Sequence, residues 1–446
     1  RETGTVEARG NLGSSYRNLG SIYEARERLT EARQSYEEGL KLWRRLAEET
    51  GTIKARTFVG ALCENLGGVC QAEGNLKEAE RYYEESMNVF RQLVRETEET
   101  EVWNDLADIC GRRAALSQMR GDGEAADRYF LEGEAVVRQL CGKTGAARAR
   151  INLATFLERR GANLQLQGRQ AEARACYEEC LEIRKKLYEE TETSHEKMGL
   201  SCSYERMGDI CQAEGDVGEA AEHYEESRRL RQELCEETGT VEARRNLSIS
   251  LERIGSLWWI AERLDEAQRY YEGSRNILRQ LMEETGTQES RRNLAVIYDR
   301  LGTICCEKEL LKEGRTYYEE GMRLRLELRE ESDWIEIRRD LVISCRNLGG
   351  VSLLEGRLAE AEEYYGRAME AGRRLCEETE TAADYDSLAT TCYEASSAGG
   401  GKNTALLEEA CEIWKNLSAK YPDNTRFQSC LELALEELEN RKGTGM

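Results

Sequence analysis

Apolar residues recur along this chain at three- and four-residue spacing, in stretches closed by glycine or by a short polar turn. One such stripe is Leu247, Leu251, Ile254, Leu257 and Trp258; the next is Leu264, Ala267, Tyr271, Ile277 and Leu281. That spacing gathers apolar side chains on one face of an α-helix. The pattern therefore predicts paired amphipathic helices of about twenty residues each, joined by turns of a few residues. The pairs repeat. Gly20, Gly67, Gly161, Gly208, Gly255, Gly302 and Gly349 fall on a 47-residue ruler, with Ala114 on the remaining tick. Sixteen residues after each tick stands an aromatic: Tyr36, Tyr83, Phe130, Tyr177, Tyr224, Tyr271, Tyr318 and Tyr365. Twenty-six after stands leucine, from Leu46 to Leu375. A fixed period across eight repeats marks a solenoid, in which each repeat buries its apolar face against its neighbours.

The stops carry their own chemistry. Gly51, Gly239 and Gly286 suit the left-handed position just past a helix end, and Thr52, Thr240 and Thr287 then cap the next helix. Between paired helices Gly74, Gly121, Gly168, Gly215 and Gly356 act as the stop, and Asn75 with Glu78 and Asp216 with Glu219 have capping-box spacing. A glycine on the ruler implies that the backbone of a neighbouring helix comes close. Nineteen residues on, the column Gly39, Ser86, Gly133, Cys180, Ser227, Ser274, Gly321 and Ala368 is small for the same reason.

These columns resemble the tetratricopeptide repeat. That family has leucine-glycine in its first helix, matched by Leu19-Gly20, Leu66-Gly67, Leu301-Gly302 and Leu348-Gly349, then alanine at twelve, an aromatic at sixteen and a small residue at nineteen. The resemblance implies an all-α, right-handed superhelical solenoid of antiparallel helix pairs. It covers residues 1–392 in about eight full repeats and a degenerate ninth. Where the family ends its second helix with proline, this chain has Arg44, Arg91, Arg138, Lys185, Gln232, Arg279, Leu326 and Arg373. The second helix is therefore expected to run on, and the repeat is similar to the long unit of kinesin light chain. In the ninth repeat Ser396 replaces the glycine, and Ser396 to Asn403 reads as flexible. Residues 393–446 then read as a C-terminal cap with helices at 404–419 and 426–441 around the YPDN turn.

Charge narrows the partners. The net charge of −22 opposes nucleic acid and anionic membranes, and the apolar runs fall short of the ~20 residues of a membrane span. The chain has one proline, Pro422, as long helices require. No signal segment opens it. It begins inside an ETGT element and reads as part of something longer, in a cytoplasmic setting. There are sixteen cysteines, and ten of them fall in three columns that other repeats fill with Tyr, Leu, Trp, Val or Met. They read as reduced core thiols, with vicinal Cys305–Cys306 the pair to test for redox chemistry.

Candidate chemistry lies on the first helices, which the resemblance places along a concave groove. Two residues before the ruler stand Asn18, Asn65, Arg112, Arg159, Arg206, Arg253, Arg300 and Asn347. Arginine offers a planar fork for carboxylates and carbonyls, and asparagine donates to and accepts from an extended backbone. By resemblance to kinesin light chain, the asparagines are candidates for holding a peptide backbone. Four residues after the ruler, Gln118, Gln165, Gln212 and Trp259 add polar groups and one aromatic anchor, while Trp258 reads as core. Ile249, Val296 and Ile343 make the later inward surface more apolar. The arginines also adjoin acids, so an ion ladder between repeats stands beside the ligand reading. No serine or cysteine has a histidine at a plausible repeat position, the string Gly399–Thr404 lacks the strand of a phosphate loop, and no metal spacing stands out. The expected function is a non-enzymatic scaffold, without cofactor or metal, for a protein or peptide. The alternative is the sensing arm of a larger bacterial signalling or defence protein whose ATPase or protease domain lies outside this chain. Self-association through the first helix face is a third reading.

Overall fold

The computed structural model describes residues 5–398, 403–422 and 424–443, and every regular element among them is helical. First helices of the repeats are α1 (Val6–Glu24), α3 (Ile53–Ala72), α5 (Thr100–Met119), α7 (Ala147–Leu166), α9 (Ser194–Glu214), α11 (Val241–Ile260), α13 (Gln288–Glu307), α15 (Ile335–Leu354) and α17 (Ala382–Ala398). Second helices are α2 (Leu29–Thr50), α4 (Leu76–Glu96), α6 (Gly123–Thr144), α8 (Gln170–Thr191), α10 (Val217–Thr238), α12 (Leu264–Thr285), α14 (Leu311–Glu331), α16 (Leu358–Thr379) and α18 (Thr404–Lys420), with α19 (Thr425–Gly443) after them. The chain divides into two compact units, Arg1–Ser227 and Arg228–Met446. Within each, first helices pack on the second helix of their own repeat and on that of the repeat before, as α3 does on α4 and α2, and α13 on α14 and α12. Each unit is thus a stack of helix pairs, the all-α solenoid expected from the period.

The stops work largely as anticipated. Thr52, Thr240 and Thr287 accept hydrogen bonds from the backbone amides three residues on, at 3.2–3.3 Å, and Gly51, Gly239 and Gly286 have φ near +60°. The capping box differs. Asn75 accepts from the Glu78 amide at 3.4 Å, but the Glu78 carboxylate accepts from the Asn75 side-chain amide at 2.9 Å. The Asn75 backbone amide is already held by the Cys70 carbonyl at 2.8 Å, so it has no need of the glutamate. Three repeats place glutamate where the others have the left-handed glycine. Glu27, Glu262 and Glu309 adopt φ of +58°, +58° and +60°, which costs roughly 1 kcal/mol or more in a residue with a Cβ.

The ruler glycine needs a different explanation from the expected one. A Cβ on Gly67 would lie 2.4 Å from ring carbons of Tyr83, and one on Gly208 2.5 Å from those of Tyr224. The notch is filled by the aromatic sixteen residues later in the same repeat, not by backbone. Backbone approach occurs at the nineteen column, where Gly39 faces the Gly13 carbonyl and Gly321 the Ala295 carbonyl, each 3.2 Å from an added Cβ.

Repeats are joined by matched charge. Thirteen residues after the ruler, Arg33 reaches Glu73 of the next repeat at 3.1 Å. One repeat on the polarity reverses, with Arg120 donating to Glu80 at 2.5 Å. In the second unit Lys308 donates to Gln268 at 2.9 Å and Arg315 to Glu355 at 2.6 Å. In several repeats the first helix is also clasped to the end of its partner. Arg150 donates two bonds to Glu190 at 2.6 and 2.5 Å, Arg244 two to Glu284, Arg291 two to Glu331 and Arg338 two to Glu378. Arg9–Glu49 and Arg56–Glu96 repeat the motif.

At the C-terminus, α17 runs through Ser396 to Ala398, although this stretch read as flexible. Ser396 is buried, its hydroxyl donating to the Tyr393 carbonyl at 2.7 Å, and Ala395 and Ala398 pack near Tyr365. Residues 399–402, which include most of the glycine-lysine string, lie outside the described residues. Beyond them, Leu407, Trp414, Phe427 and Leu438 bury against Leu388 and Cys392 of α17.

Candidate functional site

On the first helices, the positions two before and three before the ruler meet across neighbouring repeats. Arg112 Nε donates to Glu64 at 2.5 Å, and Arg206 Nε to Glu158 at 3.3 Å. Both pairs are 48 residues apart, so adjacent first helices stand side by side with an offset of one residue. Gln71 to Met119 and Trp259 to Glu307 span the same 48 residues. The ladder half of the sequence reading is therefore present at these two arginines, while burial raises the Glu252 carboxyl above its ordinary value against the charges of Arg300 and Arg253. At the third repeat the acid is missing. Gly111 stands in its place, and Arg159 is exposed with its guanidinium 3.7 Å from where a Gly111 Cβ would be. It makes no ion pair among the described residues, although its charge reaches Asp108.

Carboxylates share this surface in the first unit. Burial, with Glu64 and Asp108 nearby, pushes the Asp105 carboxyl up to about 6, and burial raises Glu64 and Asp108 as well. Burial disfavours the charged form of a carboxyl, and at Glu64 it outweighs the hydrogen bond from Arg112.

The glutamine column serves the aromatic column. The Tyr83 hydroxyl donates to Gln71 at 3.0 Å, Tyr177 to Gln165 at 3.3 Å and Tyr224 to Gln212 at 3.0 Å. In the third repeat Phe130 has no hydroxyl, and Gln118 donates to Asn163 at 3.1 Å instead. Where the column turns to Trp259 and Cys306, the residue just after the ruler takes over: Ser256 meets the Tyr271 hydroxyl at 2.9 Å and Thr303 meets that of Tyr318 at 3.1 Å. Trp258 and Trp259 are both half-buried against the Leu278–Leu301 core, and the Trp259 indole N–H donates to both Glu307 oxygens at 3.0 and 2.8 Å. Asn65 contacts the Tyr36 hydroxyl at 3.4 Å, while Asn18 is exposed and Asn347 and Arg253 are half-buried.

The residues of possible reactivity are quenched by their surroundings. Burial pushes the thiols of Cys63 and Cys392 up to about 12 and that of Cys305 up to about 11, far from a thiolate at neutral pH. Cys211, Glu219 and His223 bring ligand-type atoms within 4.8 Å of one another. Arg174 already holds both Glu219 oxygens at 2.6 and 2.8 Å, so a cation occupies that cluster. No helix among the described residues is long and apolar enough to cross a membrane.

Two tetratricopeptide-repeat family models match the sequence, one over residues 12–49 and 153–195 and the other over 62–92. Together with the buried ruler, alanine, aromatic and leucine columns, this decides the family. The chain is a tetratricopeptide-repeat protein. No curated protein matches it. Among solved structures, BtubC (BKLC) from P. vanneervenii is 18% identical, over 57% of this chain and 92% of that one, with a TM-score of 0.45. The STAND protein PH0952 of Pyrococcus horikoshii, which has a tetratricopeptide repeat sensor, is 13% identical over 90% of this chain and 55% of its own, with a TM-score of 0.47. Apo RapI is 14% identical over 72% of this chain and 99% of that one, at 0.43. These likenesses concern the fold alone.

Sequence reasoning missed two sets of residues in this tetratricopeptide array. The clasp columns were legible as arginine eleven before the ruler and glutamate twenty-nine after it. Where the third repeat changes both together, to Trp103 and Lys143, a cation over the indole replaces the ion pair at 4.5 Å. The charge-matched junctions were legible in the same way, since the two sides reverse polarity together.

Proposed function

We infer that this tetratricopeptide protein is a non-enzymatic scaffold that holds an extended protein segment along the first-helix surface. The observation that carries the reading is Arg159. Its neighbours in the column are engaged by acids of the preceding repeat, but Gly111 supplies no carboxylate and the Arg159 side chain is exposed. A planar fork without a carboxylate is suited to one supplied by a ligand. Arg112, half exposed at 53%, lies one repeat away and can exchange Glu64 for the same ligand. Asn18, Asn65 and Asn347, Arg206, Arg253 and Arg300, Gln118, Gln165 and Gln212, and Trp259 complete the proposed surface. Gln165 and Gln212 are left with their side-chain N–H groups to offer, because their oxygens accept from tyrosine. Residues 393–446 are proposed to close the array by covering the apolar side of α17.

The test is a peptide library displaying acidic residues in extended sequences, screened against the full chain and against Arg159→Glu. Loss of the selected peptides in the variant, with an unchanged melting temperature, supports the reading. Equal binding by both proteins refutes it.

A further inference from the structure

In the second unit four arginines, Arg329, Arg338, Arg367 and Arg374, line one cavity of about 350 Å³, with Asp333 and Glu370 as the acids among them. It lies where the end of α14 meets the start of α15 and the middle of α16, and the buried Leu341 and Leu375 give it an apolar wall. Two of the four charges are already matched. Arg338 donates two bonds to Glu378 at 2.6 and 2.8 Å, and Arg374 donates to Glu370 at 2.6 Å. Arg329 and Arg367 are exposed and make no ion pair among the described residues.

Both break a column. Arg329 stands where other repeats have Val94, Tyr188, Met282 or Cys376, and Arg367 where they have Glu85, Glu132, Glu179 or Glu320. In the first unit that glutamate ties repeats together, Glu132 and Glu179 accepting from Arg91 and Arg138 at 2.7 and 2.6 Å. The position that would answer Arg367 in this way, forty-one residues earlier, is Leu326. The tie is gone from both ends, so Arg367 serves no junction. In a chain of net charge −22, two unmatched cations facing one cavity call for an anion from outside.

We propose that this cavity binds a small phosphate monoester carrying an apolar or aromatic group. Guanidinium forks suit phosphate oxygens. A phosphate monoester brings a charge of about −1.5 to −2 at pH 7, enough for both arginines, where a carboxylate brings a single charge. The volume falls in the range of roughly 300–1,000 Å³ that small-molecule pockets occupy, and the leucine wall receives the organic part. The site uses none of the residues proposed above for the protein segment.

Isothermal titration calorimetry of the full chain with phenyl phosphate is expected to show saturable binding. Arg329→Met and Arg367→Glu each install a residue that other repeats carry at that place, so both variants should keep the melting temperature while binding at least tenfold more weakly. Phenyl sulfate, a monoanion of the same shape, should also bind at least tenfold more weakly to the parent chain. Absence of saturable phenyl phosphate binding overturns the proposal, as does binding indifferent to both substitutions. Inorganic phosphate that binds as tightly as phenyl phosphate assigns the arginines to a free anion and overturns it too. Tighter binding by a phosphoserine peptide assigns them to a modified protein segment, with the same consequence.

Discussion

Among the described residues Arg325 is the largest fully buried side chain, 2% exposed, and it provides the sharpest test of the packing. Its guanidinium donates to Asp299 at 2.6 Å and to the Ser344 hydroxyl at 2.7 Å. Asp299 is itself deeply buried, and its second oxygen has no donor. The equivalent of Arg325 is Phe90 in the second repeat and Leu278 in the sixth, so the position accepts an apolar side chain. Arg325→Leu therefore fits sterically but leaves a buried carboxylate unpaired. Breaking such a pair costs about 3–5 kcal/mol, whereas replacing both partners is near neutral. The double variant Asp299→Asn/Arg325→Leu is expected within about 1.5 kcal/mol of the parent. Burial already pushes the Asp299 carboxyl above its ordinary value, and loss of the guanidinium, which opposes that, raises it further. An acid whose folded pKa exceeds its unfolded one takes up a proton on folding, so its penalty is full above the folded value and vanishes below the unfolded one. The defect of Arg325→Leu should accordingly shrink as pH falls from 7.5 toward 4. A repeat array need not unfold in one step. Urea denaturation should therefore be paired with hydrogen exchange in α13 and α14. A loss under about 1 kcal/mol at pH 7.5, or a defect that grows with acid, refutes the reasoning.

Three further outcomes follow from the same geometry. Asp105→Asn should stabilise by about 1 kcal/mol at pH 7.5, discounted for partial exposure, and have no effect near pH 4, since the carboxyl titrates at about 6; pH-dependent denaturation checks this, and a gain that persists in acid contradicts it. Gly67→Ala drives a methyl into the Tyr83 ring and should cost about 1–3 kcal/mol. Thermal melts should show a smaller loss when Tyr83→Phe frees the ring from Gln71, and equal losses in both backgrounds would count against the notch. Glu309→Gly relieves a left-handed residue and should gain about 0.5–1 kcal/mol in denaturant melts, with Gly74→Ala losing a similar amount.

The solenoid was legible because equal spacing gives equal surroundings, so each buried column repeats its residue type. Individual contacts were less so. The ruler glycine was visible, but periodicity alone does not say whether backbone or a ring fills the space beside it, and Tyr83 and Tyr224 were needed to answer that. The arginine column was found with its residue identities. Its division into engaged and open members depends on one residue of the preceding repeat, acid at Glu64 and Glu158 but glycine at Gly111. The glutamines read as free polar groups because a tyrosine hydroxyl twelve residues away turns toward them only once the two helices fold back. In each case the missing information is which neighbour arrives, a tertiary fact that one helical face does not encode.

The reversing polarity of the junctions bears on heredity. Tandem coding segments gain and lose copies through slippage, and a 47-residue period makes each excision silent to the helix pattern. It is not silent to the junctions. Removing the second copy would set Arg33 against Arg120, and removing the fourth would set Asp127 against Glu214. Excisions that bring like signs together should be scarce among descendants of this gene, which gives the order of its copies a meaning that their number lacks.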